Sequence, residues 1–572
     1  MKKMIYKIVA IVAILVTVIS CTDVLDKNAV DVFNQDLVFS DLNVVKAYLG
    51  KCYDRMGGNT DAGILGQRED LLVSGTDQAL CIHRPSNYNH LKGTMSPDNL
   101  LFFTNNGYGG YLRWNNLYSN IQDVNRILAS IDKVPLTPGQ DALKKQMKGE
   151  AYFIRAYDYA SLLMVYGGAI LKDTPYQLSD TTLFKTDKRS TIKETLDFIL
   201  KDIQSALDNL PATIEQGRGN RAAAAALKSR VLLFCASKLT NGGWTEQASN
   251  TLVSFPAGSQ NGLLQQARDA AKDVMDGKYG SFSLVGSTVD PPSPLSAADV
   301  QKYSDNYFNI FNQKAGWNSE TIWGIQFPIT GGNVNNANLW YGPCGYHNWG
   351  NNNPTEPAVR KFEMADGTKF QWDKYKPGDM DVRTATAAEL ATDPNRNPYN
   401  GREPRFYACV LFDGAPWQAR PADVVTFDPD NKVQTGYYLH KPGDTAPWKS
   451  GVDTRQGPIE AWNGTKVGYY LKKFLDPATA GQYYRNTNAW VEFRYAEILL
   501  NYAEACIELG GADLQKGIDA LNMVRNRAGL PDRVTTDQAA AREFLRQERY
   551  VEFFGENHRF FDIRRWMIAE QV

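Results

Sequence analysis

The sequence predicts a mainly α protein: tetratricopeptide-like helix hairpins packed against an irregular, loop-rich region with few short strands. Three observations predict it. Apolar residues recur at three- and four-residue steps towards both ends of the chain. The paired helices carry small residues where neighbours would cross, as stacked hairpin repeats do. Between these ends the periodicity gives way to Gly, Pro, Asn and aromatic residues. The expected organisation is a signal peptide over 1–20 and a single domain over 21–572. Within it, a helical scaffold occupies roughly 41–280 and 486–572, and an irregular region roughly 281–485. Long irregular segments are uncommon in compact domains unless they carry function, so a ligand site is expected there.

Taken in order, the N-terminus carries Lys2, Lys3 and Lys7, an apolar run from Ile8 to Ile19, and then Ser20-Cys21. This is the layout of a secretory signal. The run is too short to span a bilayer, which takes about 20 residues. VISC fits a lipobox, with Cys21 the lipidated first residue of the mature chain; a plain secretory signal beside a chance Cys is the alternative. Several acyl chains on Cys21 would hold firmly, at about 0.8 kcal/mol per buried CH2.

Trp114, Leu117, Ile121, Val124, Leu128 and Ile131 mark one buried helix face. Pro138 and Asp141 open a second helix that closes at Gly167-Gly168, with Ala151, Ala156 and Ala160 allowing close approach. Ile192, Leu196, Ile199, Ile203 and Leu207 mark a third, RAAAAALKSRVLLFCASKL a fourth, and LLQQARDAAKDVMDG a fifth. The pattern returns in WVEFRYAEILLNYAEACIELGG and DLQKGIDALNMVRNRAGL. In the middle, TIWGIQFPI and FYACVLF are expected as short strands.

Apolar residues make up 43% and charged residues 22%, which is ordinary for a globular chain. A net charge of -1 gives no general pull towards nucleic acid. There is no G-x-S-x-G, H-E-x-x-H or P-loop pattern. The five histidines are scattered without metal spacing, and the cysteines beyond Cys21 form no C-x-x-C. Cys235 and Cys506 fall in apolar helical patterns and are expected as small buried hydrophobes; a disulfide between distant cysteines stays open. No cofactor, metal or catalytic residue is indicated. Paired carboxylates from distant segments would escape such a search.

What stands out is LWYGPCGYHNWGNNNPTEP, residues 339–357. Its first fifteen residues hold two Trp, two Tyr, one His and four Asn, without a charge. Gly, Pro and Asn mark it as loop. A sugar offers apolar C–H faces to aromatic rings, and its hydroxyls pair with amides or with the donor fork of Arg. Trp340, Tyr341, Tyr346 and Trp349, with Trp317, are therefore candidate ligand contacts, joined by Arg84, Asn87 and Tyr88 of the early loop CIHRPSNYNH. The competing expectation is that the rings pack inward and seal a loosely built region. Trp114 and Trp323 follow helical and strand periods and are expected in the core.

The chain resembles the SusD/RagB family of outer-membrane nutrient-binding lipoproteins of the Bacteroidetes. The resemblance runs through CTDVLDK, RWNNLYSNIQDVNRIL, GEAYFIRAYDYASLLMVYGG, NPTEPAVRKFEMADG, REPRFYACVLFDG, RYAEILLNYAEA, ALNMVRNRAGL and ERYVEFFGENHRFFDIRRW, in family order over nearly the whole chain. It implies a SusD-like fold of four tetratricopeptide-like helix pairs. It also implies a lipid anchor in the cell outer membrane facing the exterior, and a SusC-like TonB-dependent transporter over which the protein sits as a lid. Its motif residues Arg155, Arg494, Glu548, Arg564 and Arg565 are expected to tie helices together rather than touch ligand. Ligand contacts in the family vary with substrate, so only their general place carries over: the loops before the first helix pair and the central region. The family continues past the RRW motif into a Pro-containing tail, whereas this sequence ends at Val572.

The favoured function is therefore binding of an oligosaccharide or polysaccharide and its delivery to the transporter, without chemistry. A peptide receptor on the same scaffold and a surface glycoside hydrolase are the alternatives.

Overall fold

The computed structural model describes residues 38–57, 69–83, 93, 96, 112–177, 179–287, 290–314, 316–327, 335–375, 397–439, 448–479 and 486–572. Cys21, Arg84, Asn87 and Tyr88 lie outside them. About half of the described residues are helical. The first half of the scaffold holds α1 (Leu42–Gly57), α2 (Trp114–Ser130), α3 (Asp141–Tyr166), α4 (Ile192–Asn209), α5 (Arg221–Cys235) and α6 (Ser259–Met275). A further helix, α7, spans Ala297–Asn309. The C-terminal half holds α8 (Tyr495–Leu509), α9 (Leu514–Arg527), α10 (Gln538–Glu552) and α11 (His558–Arg565).

Local chemistry sets these boundaries. Thr191 and Glu194 form a reciprocal capping box at the start of α4. Asn220 and Asp537 cap α5 and α10 by accepting the Ala223 and Ala540 N–H groups at 2.8 and 2.7 Å. Each cap is worth about 1 kcal/mol. Helices then pack on their sequence neighbours: α2 on α3, α3 on α4, α5 on α6, and α8 on α9. The α6–α8 contact joins the two halves across the intervening region. At the α8–α9 crossing, a side chain on Gly517 would sit 2.8 Å from the Ala503 carbonyl, so only glycine lets these helices meet. Arg155 of α3 forms a fork with Asp202 of α4, both bonds 2.7 Å, and reaches Asn125 of α2 at 2.7 Å. That is the helix-tying role expected of it.

Three expectations for individual elements change. Residues Trp490–Arg494 are a strand rather than the first turn of α8, paired antiparallel with Thr321–Ile325. A strand there places Arg494 at the head of α8 and the Trp490 and Phe493 rings against the core. FYACVLF is mostly a short helix, Pro404–Cys409, and only Val410–Leu411 is strand. The central region also contains α7, whose Ser296–Asp299 capping box precedes buried Tyr303, Tyr307 and Phe308. Among the described residues the strands are β1 (Ala79–Leu80), β2 (Thr321–Ile325), β3 (Asn353–Pro354), β4 (Val410–Leu411), β5 (Tyr437–Leu439), β6 (Trp448–Ser450), β7 (Tyr470–Leu471) and β8 (Trp490–Arg494). They form the two-stranded pairs β1–β3, β2–β8, β4–β7 and β5–β6.

Among the described residues two apolar cores result. One is the helical scaffold, including Trp323, which is 1% exposed and edge-on to Phe153 at 5.0 Å. The other gathers the rings of the central region around Tyr307, Tyr341, Phe362, Phe406, Tyr470 and Phe474. Where the central region meets the C-terminal helices lies a buried ion network. Arg494 donates to Glu320 (2.9 Å) and Glu552 (2.6 Å), and Arg527 binds the same two carboxylates. Arg405 reaches Glu403, Glu548 and Glu552. Burial alone would raise the Glu552 pKa, but Arg527, Arg494 and Arg405 hold it well below the usual carboxylate range. Cys52, Cys235, Cys344, Cys409 and Cys506 are buried thiols outside any disulfide, and Cys81 is buried as well. No helix of the described residues is long and apolar enough to cross a membrane.

Candidate functional site

The stretch 339–357 is loop built around a short helix, Ala337–Tyr341, and a single 3-10 turn, Cys344–Tyr346. It folds back on itself. Trp349 N–H donates to the Leu339 carbonyl (2.6 Å), Gly350 N–H to Gly342 (3.0 Å) and Asn351 N–H to Trp340 (2.8 Å). Gly350 makes the bend possible: its φ is 57°, and a side chain there would lie 2.3 Å from the Asn463 carbonyl.

This fold separates the candidate residues. Tyr341 and Tyr346 are fully buried, which removes them from an exposed shelf. Tyr341 packs against Phe474 in the second core. The Tyr346 hydroxyl donates to the Gln418 carbonyl (2.9 Å), and the Arg420 guanidinium lies 4.3 Å over its ring. The reason is supply: a region with little regular structure draws its core from its own loops. Trp340 is half-buried against the second core, whereas Trp317 is half-buried against the first. Trp317 is thus set into different packing from Trp340. Trp349 is only partly buried.

The amides, expected to face sugar hydroxyls, are spent on the protein. Asn351, Asn352 and Asn353 are fully buried. Asn352 accepts from Leu71 N–H (2.9 Å) and Ser74 Oγ (2.6 Å) and donates to the Glu69 carbonyl (2.7 Å). Asn351 Oδ1 accepts the N–H groups of Ile82 and His83, both at 3.1 Å. A side-chain amide copies a peptide group, so buried Asn can staple strands that share no ladder. Together with the β1–β3 pairing (Ala79↔Pro354, Leu80↔Asn353), these bonds bring the early loop, as far as His83, against the 339–357 stretch.

At that junction stands a ring the sequence reading passed over. Trp462 is 60% exposed. His83 meets it edge-on, with ring centres 5.2 Å apart, and His83 Nε2 lies 2.9 Å from the Trp349 carbonyl. His347, two residues before Trp349, contacts Glu460, two residues before Trp462 (Nδ1 to Oε1, 3.0 Å). Trp349, His83, His347 and Trp462 thus belong to one contiguous surface. The signal was the Asn463-Gly464 turn pair directly after Trp462, which puts the ring on a turn.

A second opening, a groove of about 700 Å³, lies along α2 beside Trp114, Tyr118 and Tyr176. Its amides are already engaged: Gln122 exchanges both bonds with the Tyr176 backbone at 2.9 Å, and Asn125 binds Lys172 and Arg155. Trp114 is half-buried there, leaning on Tyr166 at 5.3 Å. Among the described residues no group of three or more His, Cys, Asp or Glu side chains is placed to hold a metal ion.

Two family models match the chain: one described as the SusD family, over residues 309–572, and one described as starch-binding associating with outer membrane, over residues 86–233. A SusD-like protein of Bacteroides ovatus is 22% identical over 459 residues, which is 79% of this chain and 65% of that protein, just under two thirds of its length. SusD-like protein P38 of Formosa agariphila is 23% identical, covering 81% of this chain and 73% of that one. Among solved structures, a SusD-like protein from Bacteroides fragilis superposes with a TM-score of 0.68 at 26% identity, covering 94% of this chain and 88% of that one. A laminarin-binding SusD-like protein superposes with a TM-score of 0.57 at 19% identity, over 93% of each chain.

Proposed function

The chain belongs to the SusD family, and on that premise we propose that it is a surface-exposed outer-membrane lipoprotein that binds oligosaccharide or polysaccharide and delivers it to a SusC-like TonB-dependent transporter. The observation that carries the reading is Trp462, exposed in the turn Ala461–Asn463 and edge-on to His83, whose ring in turn meets the Trp349 carbonyl. The names of its structural neighbours support it, one a carbohydrate-binding and one a laminarin-binding protein. Binding rests on Trp462 and Trp349 as stacking faces, with the early loop around Arg84, Asn87 and Tyr88 as a further source of polar contacts. A stacked ring contributes about 0.5–1.5 kcal/mol. Two or three such contacts with hydrogen bonds sum to about -4 kcal/mol, a millimolar Kd, so a long polymer or the transporter partner is needed to retain ligand.

The test is retention of the soluble chain, lacking residues 1–21, on a panel of immobilised polysaccharides, compared with Trp462→Ala and Trp349→Ala. Loss of retention with unchanged melting supports the reading. Retention of peptides in place of polysaccharides, or equal retention by both variants, overturns it. Anchoring by Cys21 is checked separately: Cys21→Ala should leave the membrane fraction, and a variant that stays membrane-bound with its N-terminus intact refutes the lipid anchor.

A further inference from the structure

Besides His83, a second side chain joins the turn that carries Trp349 to the loops around Trp462. His347 stands between two carboxylates, with Nδ1 3.0 Å from Glu460 Oε1 and Nε2 3.1 Å from Asp423 Oδ2. His347 and Glu460 are both non-glycine residues in the left-handed region, with φ 61° and 37°. Backbone of that kind persists only where its surroundings hold it. Each lies two residues ahead of a tryptophan of the candidate surface. Asp423, 63% exposed, heads the segment that presents Val425 and Phe427 to solvent.

A neutral imidazole has one N–H and can donate to only one of these carboxylates; its other nitrogen then turns a lone pair towards the second. The protonated ring donates to both. Burial opposes the charge, yet the bonds to Glu460 and Asp423 carry the His347 pKa above the ordinary histidine value. Other charges nearby are engaged. Arg420, over the Tyr346 ring, is paired with Asp428 and Asp453, and Asp453 also accepts the Gly345 N–H. Arg455 donates to the Trp462 and Gly464 carbonyls.

We propose that His347 is a pH-dependent positioning residue: protonated, it clamps the Asp423 and Glu460 loops together and fixes Trp462 relative to Trp349; deprotonated, it lets go of one carboxylate and the surface loosens. Its role in ligand binding rests on the glycan reading above. The clamp is complete at pH below the ordinary histidine value and is lost as pH rises through the raised one.

The experiment is acrylamide quenching of tryptophan fluorescence between pH 5 and pH 9 on the full-length protein in detergent. The Trp462 contribution is isolated by difference from Trp462→Phe. The expected result is a step to stronger quenching with rising pH, lost in His347→Gln. No step overturns the proposal. So does a step carried unchanged into His347→Gln, which then belongs to another group, such as His83, whose ring meets Trp462. If His347→Gln does not fold, Asp423→Asn decides: the midpoint should move to lower pH, and an unmoved midpoint overturns the clamp. A step found with no polysaccharide retained at any pH sustains the clamp and sinks the glycan reading; retention without a step does the reverse.

Discussion

Tyr346 and Trp462, rings from two separate stretches, have opposite duties, and simple truncations separate them. Tyr346 is fully buried, with its hydroxyl bound and a guanidinium on its face. Tyr346→Ala removes a large interior side chain and should cost about 3–5 kcal/mol, read as a lowered denaturant midpoint. Trp462, 60% exposed, has little packing to lose. Trp462→Ala should therefore leave melting nearly unchanged while weakening polysaccharide retention by about 1 kcal/mol, roughly fivefold. A large fall in melting for Trp462→Ala would move it into the structural class. Trp340 is intermediate: half-buried on the second core, it is expected to lose both stability and retention when truncated.

At the scale of elements, buried polar pairs fix how helices sit, and hydrophobic stripes decide only that they pack. Arg155 and Asp202 are 5% and 2% exposed and join α3 to α4. Burial pushes the Asp202 carboxyl up even with Arg155 beside it, so the charged pair depends on the full fork. Arg155→Ala leaves Asp202 and Asn125 buried without their partner and should destabilise by about 3–5 kcal/mol. Thr191→Ala, which opens only the capping box of α4, should cost about 1 kcal/mol. Thermal unfolding of the two variants tests the ranking; an equal or smaller effect for Arg155→Ala would mean that α3 and α4 are oriented by apolar contacts alone.

For the whole molecule, the charged seam between scaffold and central region makes stability depend on acid. Glu552 touches three arginines, and its pKa is depressed. A depressed carboxylate contributes stability that is present in full above its unfolded value, about 4.3, and is lost as pH falls from there. Urea midpoints should thus hold from neutral pH down to about pH 5 and fall below it. Glu552→Gln should lower stability at neutral pH by about 3–5 kcal/mol, read from the urea midpoint, because Arg494 and Arg527 stay buried with one anion fewer. It should also flatten the acid-side slope. A variant with the slope of the parent would place the acid sensitivity elsewhere.

The sequence alone determined the class of fold and most helices, because apolar period, capping residues and small-residue crossings are local properties of the chain. Trp114 to Ile131, the Ala-rich run after Arg221 and the helix-tying role of Arg155 were legible in it, and the family motifs named the scaffold; Arg494, expected on a helix, ends a strand instead. Where a strand and a helix share an apolar pattern, as in WVEFRYAEILL, only the antiparallel partner Thr321–Ile325 decided the outcome. The candidate surface was legible in composition but not in direction. An aromatic loop can face inward or outward with the same residues, and what chooses is whether another segment arrives to cover it. Segments distant in sequence arrived over Tyr341 and Tyr346: Phe474 packs on the first, and Gln418 and Arg420 engage the second. Trp462, lone in its segment, became part of the surface because His83 and the Gly350 turn bring three separate stretches together. Such meetings are set by tertiary packing, which no local period encodes.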